Sequence, residues 1–138
     1  MFPGTNILVV DIGSALTIDF ISSKNEYHGG NISPGMMMRY RALHEFTSNL
    51  PLEYPNDNKE FMGSDTPGAI ISGVQNGLIL ELEGYINRFS EREKGLKVIF
   101  TGGDAEFFAE KISFKVITDP NLTLKGLNRI LEYNLHGF

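Results

Sequence analysis

The chain has 138 residues and a formal net charge of −5, so it has the size of one domain and the wrong sign for a free-standing nucleic-acid binder. It has no cysteine, which excludes disulfides, thiolate metal sites and cysteine nucleophiles. The sequence shows neither an apolar run long enough to span a bilayer nor a signal-peptide pattern, and its three histidines lie in no zinc-binding spacing. We therefore expect one globular domain over residues 1–138, located in the cytoplasm, without nucleic-acid or membrane partners.

The first part of the sequence predicts a β-hairpin followed by a third strand. A run of branched apolar residues lies within residues 6–11, and residues 15–21 alternate well enough for a second strand. Because only Ile12-Gly13-Ser14 separates them, we expect a tight hairpin with Gly13 at the turn. Residues 26–32 fit a third strand that is bent or bulged at its glycines.

Four helices and two short strands are predicted for the rest of the sequence. Ser33 as the N-cap and Pro34 as the first helical residue predict a helix that ends near Ser48. Asp65-Thr66-Pro67 gives the second helix a similar start, and its apolar residues keep helical spacing to Phe89. The other predicted elements are a loop at 51–64, a strand at 97–100, a helix at 105–111, a strand at 114–117 and a helix at 123–133.

This order of elements predicts an α/β fold, with a mixed sheet and helices on both of its faces. An antiparallel start that is extended by parallel strands matches one half of the actin-like ATPase fold, which is itself ribonuclease-H-like. A flavodoxin-like alternative would alternate strand and helix from the first strand onward, whereas this chain begins with a hairpin.

Two glycine-containing turns could bind phosphate. In Asp11-Ile12-Gly13-Ser14, a tight turn directs backbone N–H groups outward, the serine adds a hydroxyl group, and the aspartate can hold a cation. Thr101-Gly102-Gly103-Asp104 follows a buried strand and opens a helix whose first N–H groups are free. Taken alone, each turn is explained at least as well by ordinary turn chemistry, with Asp104 as a helix N-cap.

Two further features have both a structural and a functional interpretation. Thr66 could bind a polar substrate at the start of the second helix, or belong to a structural helix cap. The methionines of the first helix predict a packing face that could also suit a subunit interface, together with its other large apolar residues. That face consists of Met36, Met37, Met38, Tyr40, Leu43 and Phe46.

In this order, the motifs resemble the type III pantothenate kinases, the family also described as Bvg accessory factors. The resemblance covers almost the whole chain and corresponds to the C-terminal half of the family enzyme. No single motif is decisive, but the ordered set is highly specific. The motifs are residues 11–19, 27–35, 42–47, Leu50-Pro51, 63–66 with Ala69, Ile70 and Gly73, then 101–105 and 122–127.

The resemblance implies one half of the actin-like/acetate kinase superfamily fold. It implies an enzyme that transfers the γ-phosphoryl group of ATP, bound with Mg²⁺, to pantothenate in the first step of coenzyme A synthesis. It also implies a homodimer. Serine at position 14 departs from the family's usual threonine but keeps the hydroxyl group. The implied site residues are Asp11 for potassium or ammonium, Gly13 and Ser14 for ATP phosphate, Thr66 for pantothenate, and Gly102 and Gly103 for the nucleotide cleft.

The family's N-terminal half supplies a first phosphate loop and the catalytic aspartate, and neither has a counterpart in this sequence. No second Asp-x-Gly hairpin occurs, and residues 1–10 contain no Asp, Glu or His. We therefore expect that the N-terminal subdomain is absent and that this chain contains no catalytic residue. The chain would then be inactive by itself, and a separate N-terminal half is a candidate partner.

Two other interpretations stay open. The chain could be a noncatalytic dimerisation or regulatory module derived from the same family. It could also be an unrelated ribonuclease-H-like nuclease, for which Asp11 and Asp19 supply two metal-binding carboxylates but no third partner is evident.

Overall fold

The structure is a computed structural model that describes residues 2–136. Within that range, no helix combines the length and the apolar character needed to cross a membrane. The elements, in chain order, are β1 (Ile7–Ile12), β2 (Ala15–Ile21), β3 (Tyr27–Pro34), α1 (Met36–Glu45), α2 (Thr66–Arg92), β4 (Lys97–Thr101), α3 (Ala105–Ala109), β5 (Ile117–Thr118) and α4 (Leu122–His136).

The strands form a single mixed sheet in the order β3-β2-β1-β4-β5. The pairs β1/β2 and β2/β3 are antiparallel, whereas β1/β4 and β4/β5 are parallel, so the predicted mixed sheet is confirmed. Asp11 is the partner of Thr17 on one side and of Thr101 on the other. The carboxyl ends of β1 and β4 therefore lie side by side, and the turns that follow them meet.

One face of the sheet forms the hydrophobic core with α1 and α2. Alternate residues of β1, namely Leu8, Val10 and Ile12, are fully buried, as the period of two in a strand requires. The buried side of α2 recurs every four residues and includes Val74, Leu78, Leu82 and Ile86. Burial of one such side chain stabilises the fold by about 1.5–3 kcal/mol.

Helix α4 lies next to the opposite face of the sheet. Val9 and Ile21 line a cavity of about 550 Å³ together with residues of α4. Val9 alternates along β1 with the core residues Leu8 and Val10, so it belongs to the face that α1 and α2 do not cover. The sheet therefore has helices on both sides, as the order of elements predicted.

The predicted start of the first helix is wrong. Ser33 and Pro34 are the last residues of β3, and α1 begins at Met36 with Gly35 as its N-cap. Proline is tolerated there because β3 is an edge strand of the sheet. The Ser33 hydroxyl donates a hydrogen bond to Glu81 instead of capping a helix.

Helix α1 also ends earlier than predicted, at Glu45 and not near Ser48. The Thr47 hydroxyl donates to the carbonyl oxygen of Leu43, and a side chain that binds the backbone in this way competes with continued helix. The long helix α2 is confirmed. Smaller differences are the end of α3 at Ala109, a β5 of only two residues at Ile117–Thr118, and the start of α4 at Leu122.

Candidate functional site

The β1–β2 hairpin forms as predicted, and the turn is tight. The Gly13 N–H donates to the carbonyl oxygen of Ala15 at 3.0 Å. The start of α1 packs directly against this turn, because the Gly35 N–H donates to the carbonyl oxygen of Ser14 at 3.1 Å. A Cβ atom at Gly35 would collide with the carbonyl oxygen of Gly13 and come within 2.6 Å of that of Ser14. Only glycine at position 35 lets the helix approach the hairpin this closely.

The turn after β4 is bound to the same hairpin. The Asp104 N–H donates to the carbonyl oxygen of Ile12 at 2.9 Å. Gly102 has a φ of +93°, and a Cβ atom there would lie 2.5 Å from Asp11 Oδ1 and 2.6 Å from the carbonyl oxygen of Ile12. The structure thus brings Asp11, Gly13 and Gly102 together at the carboxyl ends of β1 and β4. Gly103 belongs to the same turn, but a Cβ atom there would meet open space.

Asp104 is not the helix cap that the sequence suggested. Its side chain forms no capping hydrogen bond with α3, although its backbone occupies the N-cap position. The carboxyl group is partly buried, and this desolvation raises its pKa above the ordinary value of 3.8. A partly buried carboxyl group whose pKa is raised, and which lies beside two glycine turns, is typical of a ligand-binding site. Nothing in the sequence distinguished this group from an ordinary cap.

Replacing this carboxylate is expected to stabilise the fold at neutral pH. A carboxyl group with a raised native pKa binds more protons in the folded state than in the unfolded state. The free energy of unfolding therefore falls as pH rises from the ordinary value of 3.8 through the native pKa. Asp104→Asn removes the ionisable group, and with it this decrease in the free energy of unfolding. We expect its Tm to exceed that of the wild type at about pH 7, with a gap that shrinks towards about pH 4.

Glu106→Gln is the control for this prediction, because it removes one exposed carboxylate from the same short helix. Thermal melting across the pH range compares the three proteins. A Tm gap for Asp104→Asn that is independent of pH, or equal to that of Glu106→Gln, would contradict the desolvation argument.

The Asp11 carboxylate has the chemistry of a cation ligand. It is half-buried, and within residues 2–136 no protein group donates a hydrogen bond to it. Carboxylate oxygens bind hard cations, and Mg²⁺ at a nucleotide site is commonly held by one or two carboxylates plus the phosphates. No group of three or more His, Asp or Glu side chains that could hold a metal ion occurs among the described residues. The structure therefore provides one carboxylate at this turn as a cation ligand and, among the described residues, no cluster of such ligands.

Thr66 is the first residue of α2. The cap of α2 is Asp65, whose Oδ1 accepts a hydrogen bond from the Gly68 N–H at 2.7 Å. Thr66 instead lines a largely apolar groove of about 810 Å³ between α1 and α2. The groove is also lined by Arg39, Ala42, Leu43, Phe46, Thr47, Leu50, Ala69, Ile70, Gly73 and Val74.

A cluster of hydrogen bonds that the sequence did not predict connects the end of β3 and the start of α1 to α2. Arg39 donates through Nε to the carbonyl oxygen of Pro34 at 2.9 Å, and through Nη2 to the Glu81 carboxylate. Glu81 also accepts the hydroxyl hydrogen bond of Ser33. These partners are 42 and 48 residues from Glu81, so no local pattern could reveal them. The cluster fixes the β3–α1 junction, and with it Gly35, against the middle of α2.

Comparison with known proteins identifies the family. A family model described as type III pantothenate kinase matches residues 1–88. A type III pantothenate kinase of Bacteroides fragilis is 47% identical over 133 residues, and one of Porphyromonas gingivalis is 44% identical over 138. The chain therefore belongs to the type III pantothenate kinase family, as its motifs indicated.

The match covers nearly all of this chain but only part of its relatives. It includes 96% of this chain and 55% of the Bacteroides fragilis protein, and it lies in the C-terminal part of the relatives. The chain thus spans about half the length of the curated relatives that it matches. A solved structure described as a Baf family transcriptional activator, from Campylobacter jejuni, superposes with a TM-score of 0.67 and 29% identity, over 94% of this chain and 58% of that protein.

Proposed function

We propose that this chain is the C-terminal part of a cytoplasmic kinase that transfers the γ-phosphoryl group of ATP to pantothenate, and that it is inactive as an isolated chain. It would form one half of an actin-like, ribonuclease-H-like fold and act together with an N-terminal half. The single observation that carries this proposal is the junction of the two glycine turns, where Asp11, Gly13 and Gly102 meet at the carboxyl ends of two parallel strands. Ligands of open α/β sheets bind outside the carboxyl ends of the strands.

In the proposed complex, each residue of the junction has a defined task. The N–H and hydroxyl groups of Ser14 donate to phosphate oxygens of ATP, which arrives with Mg²⁺. The N–H of Gly13 is already hydrogen-bonded to Ala15, so Gly13 contributes by letting the phosphate approach a residue without a side chain. Asp11 holds potassium or ammonium, which offsets negative charge next to the phosphates. Gly102 and Gly103 leave room for the nucleotide because they have no side chain.

The nuclease alternative lacks support in the structure. The Asp19 carboxylate accepts a hydrogen bond from the Tyr27 hydroxyl at 2.8 Å, so one of its two oxygens is already engaged. A two-metal nuclease needs several clustered carboxylates, and the described residues contain no such cluster.

The proposed function can be tested by restoring the missing half. In the joined protein, this chain replaces the matched region of the Bacteroides fragilis kinase, to which it is 47% identical. The part of that kinase that precedes the matched region is kept. We expect the joined protein to release ADP only when pantothenate, ATP, Mg²⁺ and potassium or ammonium are all present. Asp11→Asn should raise the concentration of potassium or ammonium that is needed for activity. Asp57→Asn, in the loop at 51–64, is the control and should not change it. A folded joined protein without activity would favour the noncatalytic alternative.

Thr66→Ala in the joined protein is expected to impair the use of pantothenate more than the use of ATP. Loss of one substrate hydrogen bond costs about 0.5–1.5 kcal/mol, which lowers kcat/KM for pantothenate roughly two- to twelvefold. Asp65→Ala is the matched control. It removes the actual cap, so it should lower stability by about 0.5–2 kcal/mol and leave the ratio of the two KM values unchanged. Unchanged pantothenate kinetics for Thr66→Ala would remove this residue from the substrate site.

The chain is also expected to form a two-fold homodimer through the groove between α1 and α2. Phe46, which follows α1 and lines this groove, is 85% exposed, and Met38 of α1 is about half exposed. Sedimentation equilibrium at tens of micromolar should therefore show a species heavier than 15.4 kDa. Phe46→Ser should weaken the dimer, whereas Phe61→Ser, which alters an exposed phenylalanine in the loop at 51–64, should not. A purely monomeric wild-type chain would count against the dimer.

A further inference from the structure

Helix α4 exposes an unusual amount of apolar surface. It spans Leu122–His136, and six of its large apolar residues have between 58% and 71% of their surface exposed. These residues are Leu124, Leu127, Ile130, Leu131, Tyr133 and Leu135. No residue of α4 is buried over the part whose side chains are described, 122–135.

The side of α4 that faces the sheet is the polar one. The cavity beneath the helix, lined by Val9 and Ile21, is lined on the helix side mainly by Lys125, Asn128, Arg129 and Glu132. Lys125 Nζ lies 2.7 Å from Asp119 Oδ2, and this ion pair attaches the start of α4 to the end of β5. At helical spacing, the side of α4 opposite these cavity-lining residues is apolar and is directed away from the sheet. It carries Leu124, Leu127, Leu131 and Leu135.

This orientation is the reverse of the one expected for a helix that completes the core of its own domain. Such a helix turns its apolar side inward and its charged side to water. An isolated helix of about 15 residues is marginal in water, because most helical stability in proteins comes from packing of the apolar side. Apolar surface of this extent on one helix marks a surface that another protein segment covers.

We propose that the outward apolar side of α4 binds the N-terminal part of a type III pantothenate kinase, the part that the relatives carry ahead of the region matched by this chain. The length of the relatives supports this occupant, because the chain accounts for only 55% of the Bacteroides fragilis protein and corresponds to its C-terminal part. The groove proposed for the homodimer lies between α1 and α2, across the sheet from α4, so a second copy is already assigned to another surface.

This proposal rests on the proposed function in one respect, the participation of an N-terminal part, and it does not depend on catalysis. It assigns α4 the role of holding the two halves together. The test is therefore a binding measurement that gives the same answer whether or not the assembled protein phosphorylates pantothenate.

The experiment co-expresses this chain, with an affinity tag, and the N-terminal part of the Bacteroides fragilis kinase as a separate polypeptide. Co-expression lets the two parts fold on each other, and their ratio after purification measures the complex. Leu127→Asp places a charge on the outward apolar side of α4. Asn128→Asp places the same charge one residue later, on the side that lines the cavity above the sheet. We expect Leu127→Asp to lower recovery of the N-terminal part at least about tenfold, and Asn128→Asp to leave it within about twofold.

Hydrogen exchange provides a second readout that does not require a variant. Amides of α4 should exchange rapidly in the chain alone and become protected in the complex. No complex with the wild-type chain, equal loss with both variants, or retention with both would overturn the proposal. Dimerisation of the chain alone that Leu127→Asp abolishes would also overturn it, because it would show that a second copy covers α4.

Discussion

The isolated chain is expected to turn over pantothenate at less than about 1% of the rate of a full-length relative. Phosphoryl transfer depends on positioning and charge neutralisation from several directions around the transferred group. This chain supplies one hairpin that we propose to bind phosphate, and Asp-x-Gly occurs only once in its sequence. The resemblance implies that the catalytic aspartate belongs to the other half, and removal of a general base alone typically lowers a rate by about 10²–10⁴.

A coupled assay of ADP release, with ATP, Mg²⁺, potassium and pantothenate, measures this rate. The full-length Bacteroides fragilis kinase is the positive control, and this chain joined to the N-terminal part of that kinase shows whether the preparation is competent. Turnover above about 1% in clean protein would mean that a catalytic base lies within this chain.

Gly102→Ala is expected to be strongly damaging, because it combines an unfavourable backbone conformation with a collision between the two turns. Gly102 has a φ of +93°, a backbone conformation that costs an L-residue about 1–3 kcal/mol. The new Cβ atom would also lie 2.6 Å from the carbonyl oxygen of Ile12, so the turn after β4 would have to move away from the hairpin. We expect a combined loss of roughly 2–4 kcal/mol in the free energy of unfolding. Nucleotide binding by the assembled protein should be lost as well.

Gly77→Ala is the matched control, because its Cβ atom on α2 would meet open space. Alanine in place of glycine inside a helix stabilises it by up to about 1 kcal/mol. Urea unfolding should therefore shift in opposite directions for the two variants. A Gly102→Ala protein with wild-type stability would show that the two turns are not held together as the structure indicates.

The fold was predictable because its main signals are local. The branched apolar run of β1, the three residues between β1 and β2, and the four-residue spacing along α2 each depend on neighbours in the sequence. The mixed sheet, with an antiparallel start that is extended by parallel strands, then followed from the order of the elements. The errors concern Ser33 and Pro34, whose pairing with β2 outweighs a sequence pattern that is otherwise a good helix start.

The site was predictable only in part. The glycine turns were visible as motifs, and the register of β1 with β4 brings them together. The Arg39–Glu81 contact, the desolvation of Asp104 and the outward apolar side of α4 all depend on contacts between distant segments. The roles of Asp11, Ser14 and Thr66 toward ligands stay predictions.

The loop at 51–64 connects Leu50 to the start of α2 at Thr66, and both of these residues line the groove between α1 and α2. Gln75, which is buried in α2, exchanges two hydrogen bonds of 3.0 Å with the backbone of Asn56 and accepts a third from the hydroxyl group of Tyr40. Burial raises the pKa of Tyr40 to about 12, so this hydroxyl group keeps its proton at physiological pH.

Further along the loop, Asn76 donates to the carbonyl oxygens of Glu60 and Phe61. The loop is irregular in backbone shape, but hydrogen bonds to α2 hold it at Asn56, Glu60 and Phe61. The chain between Leu50 and Thr66 is therefore ordered without a ligand. The loop that connects two lining residues of the groove is thus held by these hydrogen bonds, so the affinity of a ligand of the groove would not be reduced by the entropy of ordering this loop.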